Sequence, residues 1–272
     1  MSSNRLMEIL ARKNQEVTQL KQQVPLRQLQ QEAMKTPPAK DFTAAISERL
    51  EHQPPAIIAE IKFASPSAGT ICEASEQLAA STALGYQNAG ATCLSVLTDK
   101  EFFNGSIEYL RAARQACDLP ILCKDFMLDP WQVWQARQAG ADAILLIAAA
   151  LSDQQCIELA DEAHKAQMSI VIEIHKEAEL KRVLRQDYLA GALIGINNRD
   201  LTSFKTSLQT SELLLPAVPS HQMAITESGI KTPQDIERLH HAGASAFLIG
   251  ESLMRTASPE AALRQLLESV NL

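Results

Sequence analysis

Residues 169–175 read Ser-Ile-Val-Ile-Glu-Ile-His, and the fold that we expect follows from the alternation of residues in this segment. Side chains along a strand point alternately to its two faces, so Ile170, Ile172 and Ile174 share one face. A face made only of isoleucine must pack against a layer of helices. Glu173, on the opposite face, then points into the interior of a barrel of strands, close to the end of its own strand.

Similar short β-branched runs recur at intervals of ~20–35 residues, which suit a strand, a helix and the next strand. The eight runs are Ala56–Ile61, Thr92–Leu97, Pro120–Cys123, Ala143–Ile147, Ser169–Ile174, Ala192–Ile196, Gln222–Ile225 and Ala246–Ile249. Between them, Asp129-Pro130, Thr232-Pro233 and Ser258-Pro259 each place a capping side chain before a proline, which is typical of a helix start. The pattern predicts an α/β fold, a (β/α)8 or TIM barrel, in a single domain spanning residues 1–272. An open doubly wound sheet is the alternative, but it usually has fewer strands and a glycine-rich nucleotide fingerprint, which is absent after the first run.

The first 50 residues precede these runs and show helical periodicity instead. From Asn4 to Val24, the apolar residues fall on one stripe of a helix, which Pro25 ends. A second helical stretch ends at the turn 36–38, and a third covers Phe42–Leu50. We expect residues 1–50 to form an N-terminal helical extension that packs on the barrel.

Polar and charged residues stand at or just beyond the carboxyl ends of the runs. They are Glu60, Lys62, Lys124, Glu173, Asn197, Arg199, Glu227 and Ser228. A charged group inside a barrel is costly unless it is paired or functional, and barrel active sites lie at this end. A ring of ion pairs that only neutralises the barrel end is the alternative, and the number of groups on five strands disfavours it. His175, beyond its strand, is interpreted as a structural or supporting residue.

Glycines follow the last two runs, in Glu227-Ser228-Gly229-Ile230 and in Gly250-Glu251-Ser252. Glycine lets backbone amides approach an anion, and barrels often hold phosphate with these two loops. Ser65, after the first strand, adds a hydroxyl. The sequence therefore predicts a phosphate site, although the glycines also fit tight turns alone.

Composition excludes several classes of protein. Of the 272 residues, 46% are hydrophobic and 21% are charged, with 25 basic and 32 acidic residues giving a net charge of −7. This balance suits a globular protein that binds neither nucleic acid nor a membrane, and the opening residues contain no apolar run long enough for a signal peptide, so we expect none. The five cysteines form no C-x-x-C pair and no zinc-site spacing, so we expect reduced thiols and a cytoplasmic protein.

Several long motifs occur in the order found in one family. They are EVTQLKQQVPL (16–26), IIAEIKFASPSAGTI (57–71), CLSVLTDKEFFNGSIEYL (93–110), PILCKDFMLDPWQVWQARQAGADAILLIAA (120–149), IVIEIH (170–175), IGINNRDLTSF (194–204), ITESGIKTPQDIERL (225–239) and FLIGESLM (247–254). Over almost its whole length the chain resembles the indole-3-glycerol phosphate synthases of tryptophan biosynthesis. The resemblance implies a phosphorylated small-molecule substrate, 1-(o-carboxyphenylamino)-1-deoxyribulose 5-phosphate, with no metal and no organic cofactor, and a monomer or weak homodimer.

The resemblance also implies roles for the residues at the strand ends. Lys124 is similar to the general acid that protonates the carbonyl oxygen, and Glu173 to its acid–base partner in dehydration. Lys62 matches a residue near the anthranilate carboxylate, and Glu60 one that assists proton transfer. Three further residues match catalytic-site positions, namely Asn197, Glu227 and Ser228. Six others match positions that bind the substrate or its phosphate, namely Arg199, Ser65, Gly229, Gly250, Glu251 and Ser252. We expect burial to lower the pKa of Lys124, so that it donates a proton near neutrality.

Flat, apolar anthranilate also needs hydrophobic walls. We expect these from Phe126, the strand ends and the N-terminal helices, which in this family cover the barrel end. Three departures from the family pattern remove positive charges, since Phe63, Ala68 and Cys123 replace residues that are usually basic. We expect the chemistry to survive but the attraction for phosphate to weaken.

Two other functions are compatible with the same fold. One is another phosphosugar barrel enzyme, such as phosphoribosylanthranilate isomerase, which would need a differently placed acid–base pair. The other is a non-catalytic phosphosugar-binding barrel, which the three lost charges would suit. The set formed by Glu60, Lys62, Lys124 and Glu173 favours the synthase over both.

Overall fold

The computed structural model describes residues 5–186, 189, 191–200, 205–270 and 272, so part of the 194–204 motif, residues 201–204, lies outside the described residues. Its centre is a closed barrel of parallel strands. The strands are β1 (Ala56–Ile61), β2 (Cys93–Leu97), β3 (Ile121–Lys124), β4 (Ala143–Ile147), β5 (Ser169–Ile174), β6 (Leu193–Asn197), β7 (Ala224–Glu227) and β8 (Ala246–Ile249). Each pairs with the next, and β1 closes the barrel against β8 with Ala56 beside Ala246. The TIM-barrel prediction is confirmed and the open sheet is excluded.

Four strands have the bounds that the sequence predicts, namely β1, β4, β5 and β8. The other four begin one or two residues later than predicted, and three of them also end later, at Lys124, Asn197 and Glu227. These polar residues belong to the ladder because Lys124 pairs with Leu97 and Asn197 pairs with Glu227. The polar strand ends are therefore held by backbone pairing and do not lie in loops.

Helices precede the barrel and follow its strands. They are α1 (Arg5–Gln23), α2 (Leu26–Ala33), α3 (Phe42–His52), α4 (Glu76–Asn88), α5 (Lys100–Phe103), α6 (Ile107–Ala116), α7 (Pro130–Gln138), α8 (Asp153–Lys165), α9 (Glu177–Val183), α10 (Gln209–Leu214), α11 (Pro233–His241), α12 (Glu251–Met254) and α13 (Pro259–Ser269). A short antiparallel hairpin, Ala64–Ser65 with Gly69–Thr70, follows β1. The predicted caps form, since Asp129, Thr232 and Ser258 accept hydrogen bonds from the first turns of α7, α11 and α13. Within the described residues, no helix is both long and apolar enough to cross a bilayer.

The three N-terminal helices reach both ends of the barrel. Helix α1 lies at the mouth, where Lys13 contacts Asp99 after β2 and Asp125 after β3. Helix α2 packs along α7. Helix α3 lies at the opposite end, with Phe42 and Ile46 fully buried. The chain therefore contacts the barrel at both ends before β1 begins.

The two faces of the barrel strands pack into two different apolar cores. Ile170, Ile172 and Ile174 belong to the outer core, which α8 residues also enter. Val171, on the other face, belongs to the core inside the barrel. Burying one such side chain stabilises the fold by about 1.5–3 kcal/mol. The alternation of apolar residues therefore determines which face of the strand packs against the helices and which lines the barrel interior. The prediction that the isoleucine face meets the helices is confirmed.

Candidate active site

A cavity of about 570 Å³ opens at the carboxyl end of the barrel, and every residue that the sequence singled out for the site lines it. These residues are Glu60, Lys62, Ser65, Lys124, Glu173, Asn197, Arg199, Glu227, Ser228, Gly229, Gly250, Glu251 and Ser252. They come together because successive parallel strands all end at this mouth. Pockets of this volume hold small organic ligands. The structure thus brings the set into one place, whereas the chemical role of each member stays a prediction.

Two lysines and three carboxylates form the floor of the cavity. Lys124 Nζ contacts a carboxylate oxygen of Glu227 and lies 3.5 Å from Oε2 of Glu173. Lys62 Nζ donates to Oε1 of Glu60 at 2.6 Å. All three carboxylates are at most 2% exposed. Ion pairs so deep in the barrel interact strongly because water does not screen them.

The pKa of Lys124 moves opposite to our expectation. Burial does lower it, but the carboxylates of Glu227, Glu173 and Glu60 together outweigh burial and raise the pKa of Lys124 above its usual value. The expectation of a lowered pKa was wrong because it considered desolvation alone. Lys124 is therefore a firmly protonated lysine that loses its proton only to a strongly basic oxygen.

The pKa of Glu227 is also raised, which in a carboxyl group favours the neutral form. Burial raises its pKa to about 7, the neighbouring Glu173 adds to the rise, and Lys124 opposes it. Among the described residues, Oε1 of Glu227 has no hydrogen-bond partner. Gly195 makes room for this atom, since a Cβ there would lie 2.4 Å from Oε1. The site thus holds a carboxyl group that can take or release a proton near neutral pH.

Gly250 has a similar spatial reason to be glycine. A Cβ on Gly250 would lie 2.5 Å from Oε1 of Glu60. Its φ of −130° requires no glycine, so close approach to Glu60 explains the residue better than a tight turn does. The next loop residue, Ser252, donates its hydroxyl to the carbonyl of Ile230 at 2.9 Å. At this rim, Ser252 therefore offers a ligand its backbone more readily than its hydroxyl.

The rim beside these loops carries cations and hydroxyls. The Arg199 guanidinium contacts Ser67 and lies 3.2 Å from Oε2 of Glu251. Ser65 Oγ accepts a hydrogen bond from the amide of Ala68 at 3.1 Å. Lys231 and Arg255 also line the cavity, and the sequence reasoning missed both. Their cationic side chains next to the two glycine loops were the available signal.

Ser228 and Gly229 form a left-handed turn after β7, with φ of +64° and +85°. A left-handed conformation is unfavourable for serine, so the surrounding contacts must hold it. Asn198 does this, because its backbone amide donates to the carbonyl of Glu227 at 2.9 Å and Nδ2 donates to that of Ser228 at 3.1 Å. Sequence reasoning missed Asn198, which follows Asn197 but points to the other side of the strand.

Lys13 is another residue that sequence reasoning missed. It is 2% exposed, and Nζ lies 3.0 Å from Asp99 and 2.9 Å from Asp125, the neighbour of Lys124. Burial lowers the pKa of Lys13, but Asp125 and Asp99 outweigh it and raise the pKa overall. Its place on the apolar stripe of α1, four residues after Ile9 and before Val17, was the signal.

Apolar walls flank the charged floor. Phe126 lines the cavity as predicted, together with Leu97, Phe103, Leu145, Ile147 and Leu248. No described residue of α1, α2 or α3 lines it, so the expectation that the N-terminal helices supply walls was wrong. Helix α1 contacts the site indirectly, through the ion pair between Lys13 and Asp125 in the loop after β3. Phe63 and Cys123 face the outer core, away from the cavity.

Comparison with known proteins gives a consistent family. The profile of the family described as "Indole-3-glycerol phosphate synthase" matches residues 6–266. A protein of that description from Acidithiobacillus ferrooxidans is 47% identical over 261 residues, covering 96% of this chain and 97% of its own. Another from Azoarcus sp. is 48% identical over 266 residues, covering 97% and 99%, respectively.

Solved structures with low sequence identity share the fold. The N-acetylmannosamine-6-phosphate 2-epimerase of Clostridium perfringens has a TM-score of 0.59 at 15% identity, covering 80% of this chain and 95% of its own. A 3-hexulose-6-phosphate synthase has a TM-score of 0.58 at 15% identity, covering 79% and 100%, respectively. At this identity they bear on the barrel architecture alone.

Proposed function

The chain belongs to the indole-3-glycerol phosphate synthase family, and we propose that its mouth cavity carries out the synthase reaction through Lys124, Glu173 and Glu60. The enzyme is a carboxy-lyase of tryptophan biosynthesis. It converts 1-(o-carboxyphenylamino)-1-deoxyribulose 5-phosphate into indole-3-glycerol phosphate, carbon dioxide and water. The observation that supports this assignment of residues is the position of Lys124 on the floor of the cavity. Its Nζ contacts Glu227 and lies 3.5 Å from Oε2 of Glu173.

Substrate binding requires cations at two places, because the substrate carries a carboxylate and a phosphate. Lys62, held by Glu60, is the partner for the carboxylate. Arg199, Ser65 and the backbone amides at Gly229, Gly250 and the Glu251-Ser252 turn bind the phosphate. Charge-assisted hydrogen bonds of this kind are about twice as strong as neutral ones. Phe126 and Leu145 hold the flat ring between them.

Ring closure needs a proton at the carbonyl oxygen. As the ring carbon that bears the carboxylate attacks the carbonyl carbon, Lys124 donates its proton to the oxygen, which becomes a hydroxyl. The raised pKa of Lys124 keeps this proton available at neutral pH, and the developing alkoxide is basic enough to take it. The carboxylate then leaves as carbon dioxide, and its bonding electrons return to the ring.

Dehydration needs an acid and a base together. The hydroxyl leaves as water after it receives a proton, and a proton is removed from the neighbouring methylene carbon, whose C–H electrons form the new carbon–carbon double bond of the indole ring. Glu173 and Glu60 are the acid–base groups for these transfers, and Lys124 regains its charge in the same cluster. Glu227 and Asn197 orient the two ends of the substrate. The pKa of Glu227 is about 7. Oδ1 of Asn197 accepts a hydrogen bond from the backbone amide of Arg199 at 2.9 Å.

Fluorescence detection of indole-3-glycerol phosphate, made by the purified protein from synthetic substrate, tests the proposal. We expect steady product formation without added metal or organic cofactor. A parallel assay with phosphoribosylanthranilate tests the isomerase alternative. Product only in the second assay would replace our proposal, and product in neither would favour a binding protein.

We propose in addition that the protein works in the cytoplasm as a monomer or weak homodimer. All five cysteines are free, which suits a reducing compartment. The exposed large apolar residues include Met7 and Met34 on α1 and beside α2, and Leu213 on α10. Light scattering after size exclusion tests the oligomeric state, and a stable higher oligomer would contradict it.

A further inference from the structure

His175 follows β5 and lies directly behind Glu173. Its side chain is 5% exposed, and Nε2 lies 3.3 Å from Oε1 of Glu173. On the other side of the ring, Nδ1 lies 3.7 Å from Oε2 of Glu179, in the first turn of α9. His175 does not line the mouth cavity. The imidazole is thus buried between two carboxylates and has no direct access to a substrate.

The geometry requires a charged ring. A neutral imidazole has a hydrogen on one nitrogen and a lone pair on the other. Here each nitrogen faces a carboxylate oxygen, so a neutral ring would turn its lone pair toward a negative charge. Within the described part of the chain, neither nitrogen makes a regular hydrogen bond, and both carboxylates lie at ion-pair distance from the ring. Only the imidazolium, with a hydrogen on both nitrogens, suits both neighbours.

The charged groups around the ring come from three elements. They are Glu173 on β5, Glu179 on α9 and, farther away, Glu227 on β7. Burial lowers the pKa of His175, but these carboxylates outweigh burial and raise it above the ordinary value. The backbone amide of His175 also donates to Oε2 of Glu179 at 2.7 Å, which fixes α9 behind the ring.

We propose that His175, as an imidazolium held by Glu179, is a positioning residue that orients Glu173. It binds Oε1 of Glu173, so Oε2 is presented to Lys124 and to the substrate. Glu173 therefore has a cation on each oxygen, His175 behind and Lys124 in front. This inference rests on the proposed function, because it concerns how Glu173 acts in the synthase reaction.

The test is the pH dependence of kcat and kcat/KM for synthesis of indole-3-glycerol phosphate by the wild type, His175→Asn and Glu179→Gln. The matched control is His241→Asn, an exposed histidine at the end of α11. In His175→Asn we expect kcat to fall about tenfold at neutral pH while KM changes little. The alkaline limb that follows loss of the His175 proton should be absent from this variant, because asparagine does not titrate.

Glu179→Gln should keep that limb but move it. The imidazolium loses one of its two carboxylates and gives up its proton at lower pH, so the alkaline limb moves down. Profiles of both variants that superimpose on those of the wild type and His241→Asn would overturn the proposal and leave His175 a packing residue. An inactive wild type would instead refute the proposed function, so the two failures are distinguishable.

A spectroscopic measurement covers the case in which His175→Asn does not fold. The imidazole ¹⁵N signals of wild-type protein report ring protonation directly, and Glu179→Gln identifies the His175 signals by their displacement. We expect imidazolium shifts at neutral pH. A neutral tautomer at that pH would overturn the proposal whatever the kinetics show.

Discussion

The two ends of the barrel both bury carboxylates, but they satisfy them differently. At the closed end, Asp142 accepts backbone amides of Lys40 at 2.7 Å and Ile121 at 2.8 Å, and Arg114 lies at 2.9 Å. At the mouth, Glu227 shares Lys124 with Glu173, and within the described residues its second oxygen has no partner.

This difference separates a structural site from a reactive one. Two of the Asp142 donors are backbone amides, which cannot move without unfolding, so the site ties the segment before α3 to the barrel. The donors at the mouth are lysine side chains, shared among more carboxylates than they can neutralise. Such an arrangement stabilises the fold less but leaves protons and charges available to a substrate.

Removal of the mouth lysine should have the largest effect. We expect Lys124→Ala to reduce kcat by ~10²–10⁴-fold, the range for a lost general acid, with substrate binding largely retained. Steady-state kinetics and substrate titration by fluorescence measure both quantities. Unchanged turnover would remove Lys124 from this role.

Removal of the carboxylate at the closed end should affect stability instead. Asp142→Ala leaves the amides of Lys40 and Ile121 without their side-chain acceptor and removes the ion pair of Arg114, so we expect the free energy of unfolding to fall by about 3 kcal/mol. Urea unfolding measures this, and kcat of the folded fraction should stay near the wild-type value. Asp118→Ala, at an exposed site on the same face, is the control and should change little. A large loss of kcat in folded Asp142→Ala would mean that the two ends are not separate.

The raised pKa of Glu227 predicts a pH-dependent stability with a definite sign. The folded protein binds the proton more tightly than the unfolded chain, whose carboxyl titrates near 4.5, so this group's contribution falls as pH rises from about 4.5 to about 7. Glu227→Gln removes that loss, which we expect to be about 1–3 kcal/mol. Urea unfolding at pH 5 and pH 8 compares the two proteins. An equal pH dependence in both would show that Glu227 titrates normally.

The smallest expected effect concerns the charge missing from the rim. Arg255 reaches the carbonyl of Ala68 at 3.4 Å, so a lysine there would join an existing cationic edge. We expect Ala68→Lys to lower KM by about two- to threefold at low salt and less at high salt. Ala68→Met, equally long but neutral, is the control. A salt-independent gain in both variants would assign the effect to packing.

The sequence predicted those features of the fold and the site that depend on residues close together in the chain. Alternation within β5 was enough to place the isoleucines outside and Glu173 inside, because a strand offers only two faces. The strand ends could be assigned to one mouth because parallel strands must end together. The role of Asn198 was not recoverable in this way, and the sequence indicated only that His175 is a structural or supporting residue, since each role depends on which neighbouring element packs behind the residue.

Periodicity and chain order are enough to predict the barrel, its direction and the set of charged groups at its mouth. The pairing of those charges depends on the folded chain. The direction of the pKa shift of Lys124, the unpartnered oxygen of Glu227 and the attachment of Lys13 to the rim depend on distances of a few ångströms between residues far apart in the chain. Electrostatic interactions vary steeply over such distances, and no local pattern of residues encodes them.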